Sequence, residues 1–465
     1  MAPPASGFRT FTVLWCGQFV SLTGSALSGF ALGVYVYQMT GSATTLGFIY
    51  ALSSLPFVLA SPFTGSFADR FGARRALLVA NIGSLLVMLV LTAVLSADAT
   101  AVWPVCLVVA ALSVLAALQV PAFEASVPLL VPKRHIGRAN GMRLIALASS
   151  QVLAPAAGGF LLLAIGIDGI ILMDCVSFGA AILTLLYVRI PMARQAAEAT
   201  RAGMATLLRD FSVAWRYVAV RRGLLALLAF IAALEFCAGF VDVLIAPLVL
   251  AFASSGALGT VLTIGGIGMV AASLAMTAWG GPRRRVRGIL GCSLVLAVAI
   301  IAGSLRPSVA LIAVAAFVFF ADLAIVIGSN QSLWQSKVEP HLLGRVIALR
   351  NMIASVPRLL AFALAGLAAD HVFLPLVGRD QVRSPLLAAV IGDGPGRGFA
   401  LLMMVMGLLL ALCVVVAYLY PRLRHLEDEL PDVTPEDVTS EGGTDPVETT
   451  EPGSSAGVEA VGKGP

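Results

Sequence analysis

Apolar residues run along this chain in blocks of about 20 or more, and nearly all of the charge lies in the short breaks between them. A helix needs roughly 20 mostly apolar residues to cross hydrocarbon. Twelve blocks of that kind are predicted, at 11–38, 43–64, 76–96, 101–127, 142–165, 167–188, 223–251, 256–280, 288–305, 307–333, 347–369 and 398–420. Leu, Ala, Val and Gly dominate them, and internal Gly and Pro are tolerable because neighbouring helices re-satisfy the backbone. The blocks are continuous where a membrane β-barrel would alternate, which argues against a barrel.

Composition gives the same class. Of 465 residues, 59% are hydrophobic and 12% charged, with a mean hydropathy of +0.96; a soluble domain carries about 25% charged residues. Folding such a chain on itself still leaves a greasy surface, so it needs lipid. The expected fold class is an all-α polytopic membrane protein with twelve transmembrane helices in two six-helix bundles.

Lysine and arginine set the expected orientation. With the N-terminus in the cytoplasm, the connections on that side carry 24 basic residues and the opposite side only Arg306, Arg379, Arg383 and Arg397. Both termini are then expected in the cytoplasm, as in a multi-pass protein of the cell membrane. The net charge of +5 is a topology signal and calls for no nucleic-acid partner. All six cysteines fall inside predicted spans without paired spacing, as small packing residues and not as disulfides or metal ligands. The first apolar run is too long for the core of a cleavable signal peptide.

Four regions are expected: 1–188 as a first six-helix bundle, 189–222 as a cytoplasmic loop with an interfacial helix, 223–420 as a second bundle, and 421–465 as a disordered acidic tail. From Glu427 onward the chain holds eleven acids and one lysine, too polar a composition to fold alone. The stretch "DFSVAWRYVAVRRG" within 189–222 has the pattern of a helix lying at the membrane surface. The two halves echo each other. "GRANGMR" at 137–143 and "GRVIALR" at 344–350 precede spans five and eleven at an offset of 207. "GSFADRFGARR" at 65–75 and "WGGPRRRVRG" at 279–288 occupy matching breaks, with Trp279 where the acid would stand. A duplicated six-helix unit accounts for both pairs.

"GSFADRFGARR" resembles the loop signature of the major facilitator superfamily: glycine, three spacers, Asp-Arg, one spacer, then glycine and a basic pair. It lies where that family has it, between spans two and three. The resemblance implies a secondary transporter, not an enzyme, that exposes a central pocket to alternate sides as its two bundles rock. It implies a conformational latch on the cytoplasmic side made by Gly65, Asp69, Arg70, Gly72, Arg74 and Arg75. Asp69 is expected to face the N-terminal end of helix eleven, with Arg350 or Arg358 as partners. Glu124, in "PAFEASVP", is expected to join Arg70 and Arg74 in a charge relay. Span five is similar to the glycine pattern of proton-driven exporters of the family, with Gly141, Ser150, Ala154, Pro155, Gly158 and Gly159 at the matching spacings. Small residues there let helix five pack closely on helix eight, and Pro155 bends it. Span four, 101–123, lacks the intramembrane arginine of many such antiporters.

Ionisable groups at membrane depth are candidates for function. Glu235, Asp242 two helical turns further, and Asp322 are the candidates for binding protons and cationic or polar parts of substrate. Arg358 is expected to pair with an acid of the other bundle, Asp174 to cap or pack a helix end, and Gln18 and Gln119 to line the cavity or bond between helices. No P-loop is present. No cofactor is expected, the proton gradient being the energy source. The expected partners are a small-molecule substrate, protons and the lipid bilayer around a monomer. The leading expectation is a proton-coupled exporter of amphipathic small molecules such as drugs, siderophores or secondary metabolites, by resemblance to the macrolide and siderophore exporter branch. A family importer or a lysophospholipid transporter is the alternative, and a polytopic membrane enzyme or sensor is remote.

Overall fold

The computed structural model describes residues 7–96, 102–132, 135–188, 190, 204–378, 382 and 384–430. The described residues are helical or irregular, with no strand among them. The helices are α1 (Phe8–Thr40), α2 (Ala43–Phe71), α3 (Ala73–Ser96), α4 (Trp103–Leu130) and α5 (Ile136–Tyr187), then α6 (Met204–Val220) and α7 (Arg222–Leu250). They continue as α8 (Ser255–Trp279), α9 (Arg285–Ser304), α10 (Val309–Lys337), α11 (Pro340–Ala368), α12 (Leu374–Val377), α13 (Pro385–Ile391), α14 (Arg397–Leu419), α15 (Pro421–Arg424) and α16 (Leu426–Glu429). Eleven are long and apolar enough to cross a membrane. The 52-residue α5 is two crossings, because Gly166 turns left-handed at φ 69° and ψ −176° and reverses the chain. Twelve crossings result, with the break where spans five and six were expected to meet.

Helices α1 to α5 pack on one another through α1 on α5, α2 on α4 and α3 on both α4 and α5. In the second bundle α7 packs on α11 and α14, and α10 on α8 and α9. Side chains on the outside stay bare, with Phe160, Leu183 and Leu274 at 70%, 68% and 67% exposure. A water-soluble monomer does not carry apolar surface on this scale; a bilayer covers it.

The amphipathic α6 lies beside α11 and α7 on the arginine-rich side. The Tyr217 hydroxyl donates to the Lys337 carbonyl at 3.3 Å, the Arg221 guanidinium stacks over its ring at 3.6 Å, and burial pushes the phenol's pKa up. The expectation of disorder from residue 421 onward is overturned for 421–430. Leu423 and Leu426 are buried on the second bundle. The Glu427 carboxylate accepts from the Arg285 and Val286 amides at 2.9 and 3.3 Å, which ties it to the start of α9. Anchoring needs only two leucines and one cap, which acidic composition conceals. The rest of the tail, 431–465, lies outside the described residues, as do 189 and 191–203 of the 189–222 loop.

The described residues between 369 and 396 form short elements. A π-helical turn, Ala369–Phe373, leads from α11 into α12. Asp393 Oδ1 accepts the Val382 and Gly394 amides, each at 2.9 Å, and these two donors hold its carboxyl below the ordinary aspartate range. Arg397 opens α14 fully buried; its Nη1 donates to the Ile391 carbonyl at 2.7 Å and the Ser304 carbonyl at 3.3 Å.

Candidate functional site

Among the described residues two helix pairs make the most extensive contacts between the bundles, and both do so toward the arginine-poor side. In the first, α5 lies on α8 without intervening side chains. A Cβ built on Gly159 would stand 2.7 Å from the Ser255 carbonyl oxygen and 3.0 Å from the Gly259 Cα. A Cβ on Gly259 would stand 2.6 Å from the Pro155 carbonyl oxygen. Only paired glycines allow this approach. Of the other pattern residues, Gly158 packs inward on Phe30 and Leu27 of α1, and Ser150 and Ala154 are buried. Gly141 does not follow: nothing lies within 4 Å of a Cβ built there.

In the second pair α2 lies on α11. A Cβ on Gly47 would meet the Phe362 carbonyl oxygen at 2.3 Å, and one on Gly366 the Ala43 oxygen at 2.3 Å. The Tyr50 and Phe362 rings follow at 5.6 Å. Just beyond, Asp370 reaches across to the first turn of α2. Its carboxylate accepts from the Ser42 hydroxyl at 2.8 Å, the Ala43 amide at 3.2 Å, and the Thr44 amide and hydroxyl, each at 2.8 Å. A carboxylate at a helix N-terminus satisfies donors that the helix cannot, and meets the positive end of its dipole. Sequence reasoning missed Asp370; "GSATT" opening α2 was the available signal, a helix start with more donors than one Ser or Thr cap satisfies.

Between these contacts lies a charge cluster. The Arg358 guanidinium donates from Nη1 to Glu235 Oε2 at 2.9 Å and from Nη2 to Asp242 Oδ2 at 2.6 Å. Glu235 and Asp242 sit on one face of α7, seven residues apart, and Arg358 of α11 bridges them. The expectation that Arg358 pairs with the other bundle is therefore corrected. Helix α11 packs along α7, so the α7 acids are within reach before any group of the first bundle. Asp322 lies apart, near the Cys292 thiol, with its Oδ2 lacking a partner among the described residues.

On the arginine-rich side the side chains of Gly65, Asp69 and Arg70 lie outside the described residues. Gly72 joins α2 to α3 at φ 85°, and Gly280 takes the same φ in the second copy. Of the two arginines expected to meet Asp69, Arg358 has its two acids, and Arg350 donates to the neutral amides of Gln331 at 2.7 Å and Asn351 at 2.9 Å, with its Nη1 lacking a partner among the described residues. Arg74 donates to the Leu185 and Leu186 carbonyls at 3.0 and 3.1 Å, closing the last turn of α5. Arg75 is exposed. Glu124 pairs with Arg143, so its relay to Arg74 is not made; α5 brings Arg143 nearer than the loop brings Arg74. Asp174 is not a helix cap but a buried side chain within the first bundle, 1% exposed. Gln119 donates to Gln18 at 2.8 Å, and both line a cavity there.

Known proteins place this architecture. The chain is 25% identical over 371 residues to macrolide efflux protein A of Streptococcus pyogenes, covering 78% of this chain and 90% of that protein. It is 31% identical over 215 residues to the multidrug resistance protein MdtG of Klebsiella pneumoniae, 44% of this chain and 50% of that one. Among solved structures, a bacterial homologue of the human lysosomal transporter Spinster in an inward-facing, unoccupied conformation superposes with a TM-score of 0.67, at 13% identity over 92% of this chain and 98% of that one. The D-xylose–proton symporter gives a TM-score of 0.59 at 16% identity, covering 87% and 97%. The family model of the Major Facilitator Superfamily matches residues 14–362, and the chain belongs to that superfamily of transporters.

Proposed function

We propose that the protein is a proton-driven exporter of amphipathic small molecules such as drugs, siderophores or secondary metabolites, working as a monomer with its arginine-rich side in the cytoplasm. The observation that carries the reading is the similarity to macrolide efflux protein A along 78% of the chain. Two features support it. The arrangement is shut on the arginine-poor side, through α2 with α11 and α5 with α8, which suits a transporter waiting to load from the cytoplasm. The Glu235–Arg358–Asp242 cluster sets two carboxylates against one guanidinium. One carboxylate can take a proton while the other still compensates the arginine, so a proton is carried at membrane depth without an unpaired charge.

In this scheme outward opening parts Asp370 from α2 and lets Asp69, at the other end of α2, engage the N-terminal end of α11. The test is efflux from cells overproducing the protein, with a panel of macrolides, cationic dyes and iron chelators, with and without a protonophore. At least one amphipathic compound is expected to leave faster than from control cells, with the excess abolished by the protonophore. Efflux that ignores the protonophore would remove proton coupling, and net accumulation would reverse the direction.

A further inference from the structure

Along their middle, α1 and α4 stand apart, and the gap is a cavity of about 490 Å³ inside the first bundle, within the size range of small-molecule sites. At one end lie the Glu124–Arg143 pair and the stacked rings of Trp15 and Phe19, 5.3 Å apart. At the other lies the Asp174 carboxylate, seated against the backbone of Gly24, where a Cβ would come within 2.7 Å of Oδ1. Oδ1 accepts the Ser177 hydroxyl at 2.8 Å and the Ser25 hydroxyl at 3.5 Å, and no basic side chain among the described residues pairs with Asp174. Among the described lining residues Arg143 is the one base and Glu124 pairs with it, which leaves the Asp174 carboxylate without a counter-charge.

Between the two ends, Ser21 Oγ and Gln18 Nε2 line the wall without hydrogen-bond partners among the described residues, on side chains 1% and 7% exposed. Hydroxyls on this same helix can be satisfied locally. Those of Thr12, Thr23 and Thr40 donate to the carbonyl four residues back. Ser21 does not, and buried polar groups in folded proteins have partners. A buried lone carboxylate, unpartnered polar atoms and an aromatic pair in one apolar cavity suit a ligand with a charged head and a greasy body.

We propose that this cavity is a binding site for an amphipathic organic cation, with Asp174 as counter-charge and Trp15 and Phe19 against the apolar body, separate from the Glu235–Arg358–Asp242 cluster. The assignment rests on the transport reading for its biological sense, but its test is equilibrium binding and needs no transport. The probe is radiolabelled tetraphenylphosphonium, with the full-length protein in lipid nanodiscs and neutral triphenylphosphine oxide as competitor. Saturable binding is expected, poorly displaced by the neutral competitor. Asp174→Asn should weaken it about tenfold or more, the loss of a charged contact being worth roughly 1.5–3 kcal/mol. Asp393→Asn, an acid outside both charge clusters, should leave it within about twofold. Leu112→Trp, which fills the cavity from α4 with Asp174 intact, should abolish binding, and the probe's quenching of tryptophan emission should fall in Trp15→Phe. Unchanged binding in Asp174→Asn, or in Leu112→Trp should the first variant not fold, overturns the site. Binding that depends on Asp174 in a protein that exports nothing would support the site and sink the transport reading.

Discussion

A single hydrogen atom at residue 159 decides how closely the bundles approach. With Ser255 and Gly259 backbone within 2.7–3.0 Å of any added Cβ, there is no flexible side chain to yield. Gly159→Val is expected to cut efflux at least tenfold with little change in thermal stability, since the obstruction falls between bundles and not within one. Maleimide labelling of a cysteine placed at Gly256 would rise as the seal fails to close; unchanged labelling and efflux would show the contact to be dispensable. The Arg358 cluster makes a different prediction. Removing the arginine leaves two carboxylates at membrane depth without their counter-charge, so Arg358→Met should lower the melting temperature by several degrees more than Glu235→Gln does. Adding Glu235→Gln and Asp242→Asn to Arg358→Met should recover most of that loss, because replacing an ionic group whole costs less than breaking it. A triple variant as unstable as the single one would show that the arginine acts through packing instead.

Short polar elements anchor the long apolar ones, and here the chain's own pattern was least readable. Glu427 belongs to an acidic run that composition assigns to solvent, yet it closes the start of α9. Chain truncation after Leu430 should therefore leave the melting temperature within about 1 °C of the full protein. Glu427→Gln should cost about 1 kcal/mol, the usual worth of a cap, and truncation after Tyr420, which also removes the buried Leu423 and Leu426, should cost more. The reverse ranking would place the stabilising contacts within 431–465. The spans themselves were legible to within a few residues, since hydrocarbon thickness imposes their length and the left-handed turn at Gly166 fits a glycine. The partners of charged side chains were not legible. Arg358, Glu124 and Asp174 each chose a neighbour by helix packing within one bundle, and periodicity along one segment carries no information about which helix lies next to it.

For the whole molecule, Asp370 fastens the start of α2 to the end of α11, and the proposed scheme gives Asp69, at the far end of α2, the opposite gate. Asp370→Ala should release the arginine-poor side and shift the population toward outward-open by about tenfold, given net values of roughly 0.5–1.5 kcal/mol for individual hydrogen bonds. Asp69→Asn should shift it the other way. Alkylation rates of single cysteines on each side, read in both variants, check the pair; shifts of the same sign would show that the two acids do not oppose one another.

Helix α2 itself is not a simple rod between those ends. Pro56 interrupts it, and the Ser113 hydroxyl of α4 steps into the gap, donating to the Ser53 carbonyl at 2.6 Å and accepting the Phe57 amide at 2.9 Å. A splice of this kind can slip, letting one half of a beam tilt while the other stays put. Motion started at the Asp370 end would then reach the Asp69 end only as faithfully as one serine hydroxyl transmits it.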